Sequence, residues 1–369
     1  MLIDDIALTM HPEIGSKTAI HLLEHFSSAE ALFAATEQEI VERTQLKASL
    51  ARSISRREFH EQAAQEAAFI ERHRIRAVCS TSEEYPRRLK ECSDYPHVLY
   101  VSGGIDLNSP HWLSVVGTRN ITPYGSRLCE RLIGEIAERF PDAVIVSGLA
   151  YGVDIAAHRA AMNAGLKTAG VVAHPLTRIY PSRHTESARR MVLEGGAVVS
   201  EFHSGCRCDK TSFVRRNRII AGLSEGTLIV ESAAKGGSLI TADMADGYHR
   251  TVMALPGRVG DPCSEGTNAL IKSLKAQMVC SGQDIADALG WTSSAPRALR
   301  CDPPSHAPTD AAYTPVQNKI LRLIGTDAPV SLEELCQHSG LSLPELSGIL
   351  LELEFSGAVR SLPGNLYIR

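Results

Sequence analysis

The stretch Phe213-Val-Arg-Arg-Asn-Arg-Ile-Ile-Ala-Gly-Leu-Ser224 places Arg215, Arg216 and Arg218 around Asn217, with an aromatic ring just ahead of them. A planar guanidinium with donors in a fixed fork suits a phosphate. The apolar run Ile219-Ile220-Ala221 reads as buried, so a short helix here would dock on a core and aim its arginines and amide at one place. A run of charge is more often a solvated helix face making ion pairs. The close succession of ring, cations, amide and apolar run favours an anion site instead.

Other anion-binding material recurs after short apolar runs. Gly117-Thr-Arg119-Asn120 follows Leu113–Val116, and Ser147-Gly148-Leu-Ala-Tyr-Gly152-Val-Asp154 follows Ala143–Val146. A loop with Arg207 and Lys210 leads to Phe213, and Glu231-Ser-Ala-Ala-Lys235-Gly236-Gly237-Ser238 follows Thr227–Val230. Glycines let backbone approach an anion, and helix N-termini offer unpaired N–H groups. A single Gly-Gly-Ser is more often a helix cap. Four such elements at one edge of one sheet would form an anion-binding groove wider than one phosphate needs.

The sequence offers little for catalysis. The dinucleotide fingerprint GxGxxG and the phosphate loop GxxxxGK[ST] are missing. Asp154 and His158 stand four apart, as an acid/base pair could, yet no nucleophile occupies an activating turn; ties to neighbouring loops explain them better. His174 and His184 could line the groove but decide nothing. Cys206-x-Cys208 lacks a second pair and is weak as a zinc motif. No cofactor and no metal are expected.

The elements that would position these residues alternate. Strand-like runs near 113, 143, 168, 197, 227 and 251 are interleaved with helical spacing over Pro123–Phe140, Val153–Ala164, Ser182–Leu193 and Ser238–Tyr248. Near-continuous apolar strands alternating with helices predict a doubly wound, Rossmann-like α/β domain with a parallel sheet, over 73–291. Ligands of such sheets bind beyond the carboxyl ends of the strands, where all four elements fall. Arg76–Cys79 and Val98–Val101 read as further strands, and Thr81-x-x-Glu84 as the cap of a helix through Leu89.

Residues 1–72 read as a helical module, with a capping box at Thr36-x-x-Glu39 and one long helix from Lys47 to Arg72. The turn Pro12-Glu13-Ile14-Gly15 resembles a helix-hairpin-helix turn, but without a second glycine a structural bundle is favoured. Residues 292–312, rich in Pro, Ser and Ala, read as a linker. Residues 313–369 suit helices over Val316–Ile324, Ser331–His338 and Ser342–Ser356 and a hairpin, together a winged-helix domain.

The 369 residues carry a net charge of -4, so a nucleic-acid partner rests on a local basic patch and not on global charge. The N-terminus reads as free of a signal peptide, and no apolar run is long enough to span a bilayer. Nine cysteines without repeated spacing suit a reducing cytoplasm.

These motifs together resemble the DNA-processing protein A (DprA/Smf) family. The resemblance spans about 80–290 and rests on Tyr85-Pro-x-Arg-Leu89, Val116-Gly-Thr-Arg119, Ser147–Asp154 with Ala156-Ala-His158, and Ile179-Tyr-Pro181. It continues through Ser200-Glu-Phe202, Phe213–Gly222, Gly237-Ser-Leu-Ile-Thr-Ala242 and Leu255-Pro-Gly257. It implies a cytoplasmic, non-enzymatic protein that binds single-stranded DNA without sequence preference, pairs as a homodimer through the α/β domain and loads RecA recombinase during natural transformation. It assigns the DNA groove to Arg119, Ser147, Gly148, Phe213, Arg215, Arg216, Asn217, Arg218, Lys235, Gly236, Gly237 and Ser238. A departure is Ala173-His-Pro-Leu-Thr-Arg178, where many members carry a glycine.

Two other classes stay open. One is a nucleotide-processing enzyme of the lysine-decarboxylase-like group, whose PGGxGTxxE motif is absent; the other is a protein-interaction adaptor. For the tail, the helix that would enter a major groove carries Glu345, Glu352 and Glu354 and no Lys or Arg. Phosphates would repel it, so the tail is expected to contact protein, with only Arg360 and Arg369 on or near its wing.

Overall fold

The structure is a computed structural model that describes residues 2–292, 313–324, 330–356, 358–362 and 366–368. The chain divides into two compact units, 1–296 and 297–369. The first begins with six helices: α1 (Leu2–Met10), α2 (Ser16–His25), α3 (Ala29–Ala34), α4 (Glu37–Thr44), α5 (Ala48–Ser55) and α6 (His60–Arg72). The capping box expected at Thr36 and Glu39 opens α4, each side chain bonding the other's backbone N–H. The long helix expected over Lys47–Arg72 is broken in two. Arg57 takes a left-handed φ of 56°, and the Phe59 ring turns inward to pack edge-on against His11.

A nine-stranded sheet follows, in the order β1-β2-β6-β5-β4-β3-β7-β8-β9. Its strands are β1 (Arg76–Cys79), β2 (Val98–Gly103), β3 (Trp112–Val116), β4 (Val144–Ser147), β5 (Lys167–Val171), β6 (Ala197–Ser200), β7 (Gly226–Ile229), β8 (Thr251–Ala254) and β9 (Gln277–Met278). From β6 to β9 every pairing is parallel; β1 and β2 join antiparallel at one edge. The doubly wound sheet is therefore present, with an antiparallel edge that apolar periodicity does not reveal. β9 has two exposed residues and no hydrophobic run to announce it.

Its connecting helices are α7 (Arg87–Lys90), α8 (Pro123–Arg139), α9 (Val153–Asn163), α10 (Thr185–Leu193), α11 (Lys210–Leu223), α12 (Gly237–Gly247), α13 (Glu265–Lys272) and α14 (Gly282–Leu289). Helix α7 starts after Pro86 and not at Thr81, since proline disfavours helical geometry in the residue before it. Along β3, Trp112 and Val116 join one core layer while Leu113 and Val115 join the other, as the alternation of a strand buried on both faces requires. The N-terminal helices share a third core with Cys79, Val98 and Tyr100 of β1 and β2. A buried His97–Asp5 contact of 2.8 Å and the bond from Ser204 N–H to Glu66 pin them there.

In the second unit, α15 (Pro315–Leu323), α16 (Leu332–Ser339) and α17 (Leu343–Phe355) surround a core of Ile320, Leu335, Leu346, Leu350 and Leu353. Strands β10 (Val330–Ser331), β11 (Arg360–Leu362) and β12 (Leu366–Ile368) form a small sheet beside them. This is a winged helix. Residues 293–312 of the expected linker lie outside the described residues, as do Arg369 and the side chain of Arg360.

Inside the larger unit His158 of α9 has no exposed surface, and its Nδ1 lies 2.7 Å from Thr168 Oγ1. Burial first, then the nearby His184 and Arg216 charges, push its imidazole from 6.5 down to about 3. Between those two values the unfolded chain takes up a proton that the folded chain refuses. Stability is therefore full above pH 6.5 and falls as pH drops toward 3, by up to about 1.4 kcal/mol per pH unit. Urea titrations at successive pH values should show a shallower acid dependence for His158→Gln; an identical dependence would contradict this.

Candidate nucleic-acid interface

Strand order reverses between β3 and β7, so their carboxyl ends open the crevice where doubly wound sheets bind ligands. The loop leaving β3 stays close to the one leaving β7: Thr118 N–H donates to Glu231 O at 2.8 Å. On its other side Val153 N–H donates to Thr118 O at 3.1 Å. Gly152, at φ 77°, lies against this loop, and a Cβ there would strike the carbonyls of Thr118 and Arg119. Arg119 is thereby lifted to the rim, exposed, with its guanidinium 5.8 Å from the centre of the Phe213 ring.

Helix α11 supplies the next wall. Asp209 caps it, accepting from Thr211 and Ser212 N–H at 2.9 and 3.0 Å. It is longer than the short helix expected, and at 3.6 residues per turn Phe213, Arg216, Asn217 and Ile220 share one face. That face and Lys210 line a groove of about 590 Å³ with Thr118, Arg119, Tyr180 and residues 236–238. Tyr180 meets Phe213 edge-on at 6.1 Å. Helix α12 closes the far end, preceded by Gly236 and with no side-chain cap. Its first N–H groups are thus available to an anion, and exposed Lys235 stands just before them.

Arg216 lies under the groove. Its Nη1 donates to Gly148 O at 2.7 Å and to Val171 O, and its Nε to Asn217 Oδ1 at 3.2 Å. A Cβ at Gly148 would come within 2.6 Å of the guanidinium, so any larger residue would push Arg216 off its carbonyl partners. Asp154 accepts from Gly148 and Ala150 N–H at 3.1 and 3.3 Å. Burial lowers Arg216 to about 10, with Asp154 opposing the shift, so it stays cationic at neutral pH. Burial also raises Asp154, against the pull of Arg216. The pair holds the strand ends in place and offers no exposed acid or base.

Three of the expected groove residues are placed elsewhere. Arg218 is two residues and about 200° around the helix from Arg216. It reaches Glu201 at 2.5 Å, Ser16 of the N-terminal module at 3.1 Å and the Asp94 carbonyl. Arg215, on the same side as Arg218, pairs with Glu201 at 2.9 Å and lies over Phe202. The arginines therefore do not converge on one place. Ser147 is fully buried and donates to Val115 O at 2.6 Å, tying β4 to β3. Ser238 lines the groove with its hydroxyl turned to Ser232 Oγ at 3.0 Å.

Lys210 and Tyr180 line the groove and Glu231 holds its rim, although none of the three was among the residues assigned to the groove from sequence. Lys210 follows directly from the helix start at Asp209, a recognisable cap. Glu231 gave no signal beyond its place at a strand end.

A family model for DNA recombination-mediator protein A matches residues 76–290, and one for the DprA winged helix domain matches 303–365. The chain belongs to the DprA/Smf family. Protein Smf of Escherichia coli is 35% identical over 82% of this chain and 79% of its own length. DNA processing protein DprA of Bacillus subtilis is 38% identical over 58% of this chain and 71% of its own length. The solved structure of the Streptococcus pneumoniae DprA superposes with a TM-score of 0.67 at 29% identity, covering 78% of this chain and 98% of that one. A Helicobacter pylori DprA structure, studied for its single-stranded DNA binding mode, superposes at 0.52 with 31% identity over 58% of this chain and 95% of that one.

The two faces of α11 in this DprA-family chain should separate by experiment. Arg218→Ala breaks a buried pair and should cost about 3 kcal/mol in urea unfolding, with the salt dependence of nucleic-acid binding unchanged. A flattened salt dependence at full stability would instead put Arg218 in the groove.

Proposed function

We propose that this chain binds single-stranded DNA without sequence preference, protects incoming DNA and loads RecA recombinase during natural transformation. The observation that carries this is the groove at the switch point. Exposed cations, Arg119 and Lys210, stand beside an aromatic and apolar wall of Phe213, Tyr180, Val214 and Ile240, and exposed Lys235 immediately precedes the Gly236 that lines it. Cations that follow a backbone beside rings that stack on any base are the physical recipe for sequence-tolerant single-strand binding. Kinship with recombination mediators and with a relative studied for single-stranded DNA binding supports the reading.

A binding role without turnover fits the occupancy of the polar groups. Asp154 and His158 are buried and committed to backbone and Thr168. No described helix is long and apolar enough to cross a membrane. Pairing of two copies through the α/β unit is part of the proposal. The open edge at β9, with Leu274 and Met278 exposed, offers a surface for it.

Fluorescence anisotropy with an oligo-dT strand over a range of salt concentrations tests the groove. Replacing Arg119 by Ala should weaken binding to all sequences and flatten the log-affinity against log-salt slope by about 0.7. Loss of stacking in Phe213→Leu should cost about 1–3 kcal/mol. Unchanged affinity and slope in both folded variants would refute the assignment.

The winged helix is proposed to meet protein and not duplex DNA, because Glu352 and Glu354 are exposed on α17 with no cation on that helix. Removing residues 297–369 should leave duplex binding at low salt unaltered. A marked loss of duplex affinity would show that the tail reads DNA.

A further inference from the structure

Arg119 is exposed and reaches the Phe213 ring, but among the described residues no hydrogen bond or ion pair fixes its guanidinium. Where it stands is set by its loop, and the loop is held from beneath by one buried carboxylate. Glu231, 5% exposed, leaves the end of β7. Its Oε2 accepts from Thr122 N–H at 2.9 Å and its Oε1 from Thr122 Oγ1 at 2.5 Å. Its own carbonyl takes Thr118 N–H, so both ends of the 118–122 segment hang from this residue. The same Thr122 hydroxyl accepts from Gly125 N–H at 3.0 Å and caps α8. A Cβ at Gly125 would overlap the Glu231 carboxylate, so the first turn of the helix closes tightly around it.

We infer that Glu231 is the positioning residue of the DNA groove, a buried anion that fixes the Arg119 loop at the switch point. This rests on the single-stranded DNA reading of the groove. Electrostatics gives the inference a sign that a bystander role cannot produce. A negative charge close behind an anion-binding groove disfavours phosphate, so its removal alone should tighten DNA binding. If Glu231 acts by holding the loop, its removal weakens binding despite the lost repulsion. The carboxylate also leaves two donors, the N–H and hydroxyl of Thr122, without partners when it is deleted. That frees the segment between Thr118 and Thr122, and the Arg119 side chain loses its fixed origin.

A double-mutant cycle in the full chain decides the matter, with oligo-dT as the probe and thermal unfolding as the control for folding. Glu231→Ala should lower affinity about threefold or more, within the range that coupled neighbours show. It should also flatten the salt slope by about 0.7, as one lost phosphate contact does. Glu231→Gln keeps the volume and part of the bonding and should fall between; it carries the test if the alanine variant does not fold. In an Arg119→Ala background both changes should have no effect beyond about twofold. Tighter or unaltered binding of the Glu231 variants would overturn the inference, as would an equal loss in both backgrounds. Normal binding by the single variant Arg119→Ala would overturn it, and normal binding by Phe213→Leu as well would overturn the groove reading with it, whereas a weak Arg119→Ala with additive Glu231 effects would overturn only the positioning role.

Discussion

The buried contact between Arg216 and the carboxyl ends of two parallel strands is the constraint on which this fold's functional edge depends. One guanidinium bonds the carbonyls of Gly148 and Val171, while Asp154 gathers the N–H groups of Gly148 and Ala150. The carbonyls and N–H groups at the strand ends would otherwise be buried without partners, which is costly. A charge placed there satisfies several at once, and the opposing carboxylate limits what its own desolvation costs. The result is a rigid floor over which the exposed cations stand. Arg216 holds the backbone while Arg119 stands exposed at the rim, so different arginines do the two jobs.

That division explains what the sequence could and could not disclose. The sheet was legible because its parallel strands are buried on both sides and read as unbroken apolar runs. The edge of the sheet that carries the groove was legible too, since glycines and cations follow those runs. The phase of α11 was not. Arg215, Arg216 and Arg218 look equivalent in a string of letters, and only packing of Ile219, Ile220 and Leu223 against the sheet decides which arginine turns where. Ser147 misled for a related reason: its serine side chain, at the last position of β4, points back to a neighbouring strand. The two-residue β9 and the antiparallel β1–β2 edge lacked any periodic signal long enough to register.

Polar groups in this protein are most densely bonded where strand ends meet helix starts. Asp154, Glu231 and Arg216 each serve two or more backbone or hydroxyl partners. Their buried bonding means that the loops beyond β3, β4 and β7 are held nearly as firmly as the strands. A groove with preset walls loses less conformational entropy on taking up a flexible strand than one assembled from free loops. This places the binding specificity of the edge in its shape and charge, which suits a ligand recognised by backbone and stacking.

The seating of the six N-terminal helices has a practical consequence for anyone dissecting this molecule. Read by composition, the chain invites a cut near residue 73, releasing the α/β part as an autonomous piece. Such a cut would strip the cover from Cys79, Val98 and Tyr100, take Asp5 from His97 and remove the Ser16 partner of Arg218. A sheet face that is now interior would become a sticky outer surface. Insolubility of that fragment would then report a severed core, and would say nothing about whether the helices take part in handling DNA.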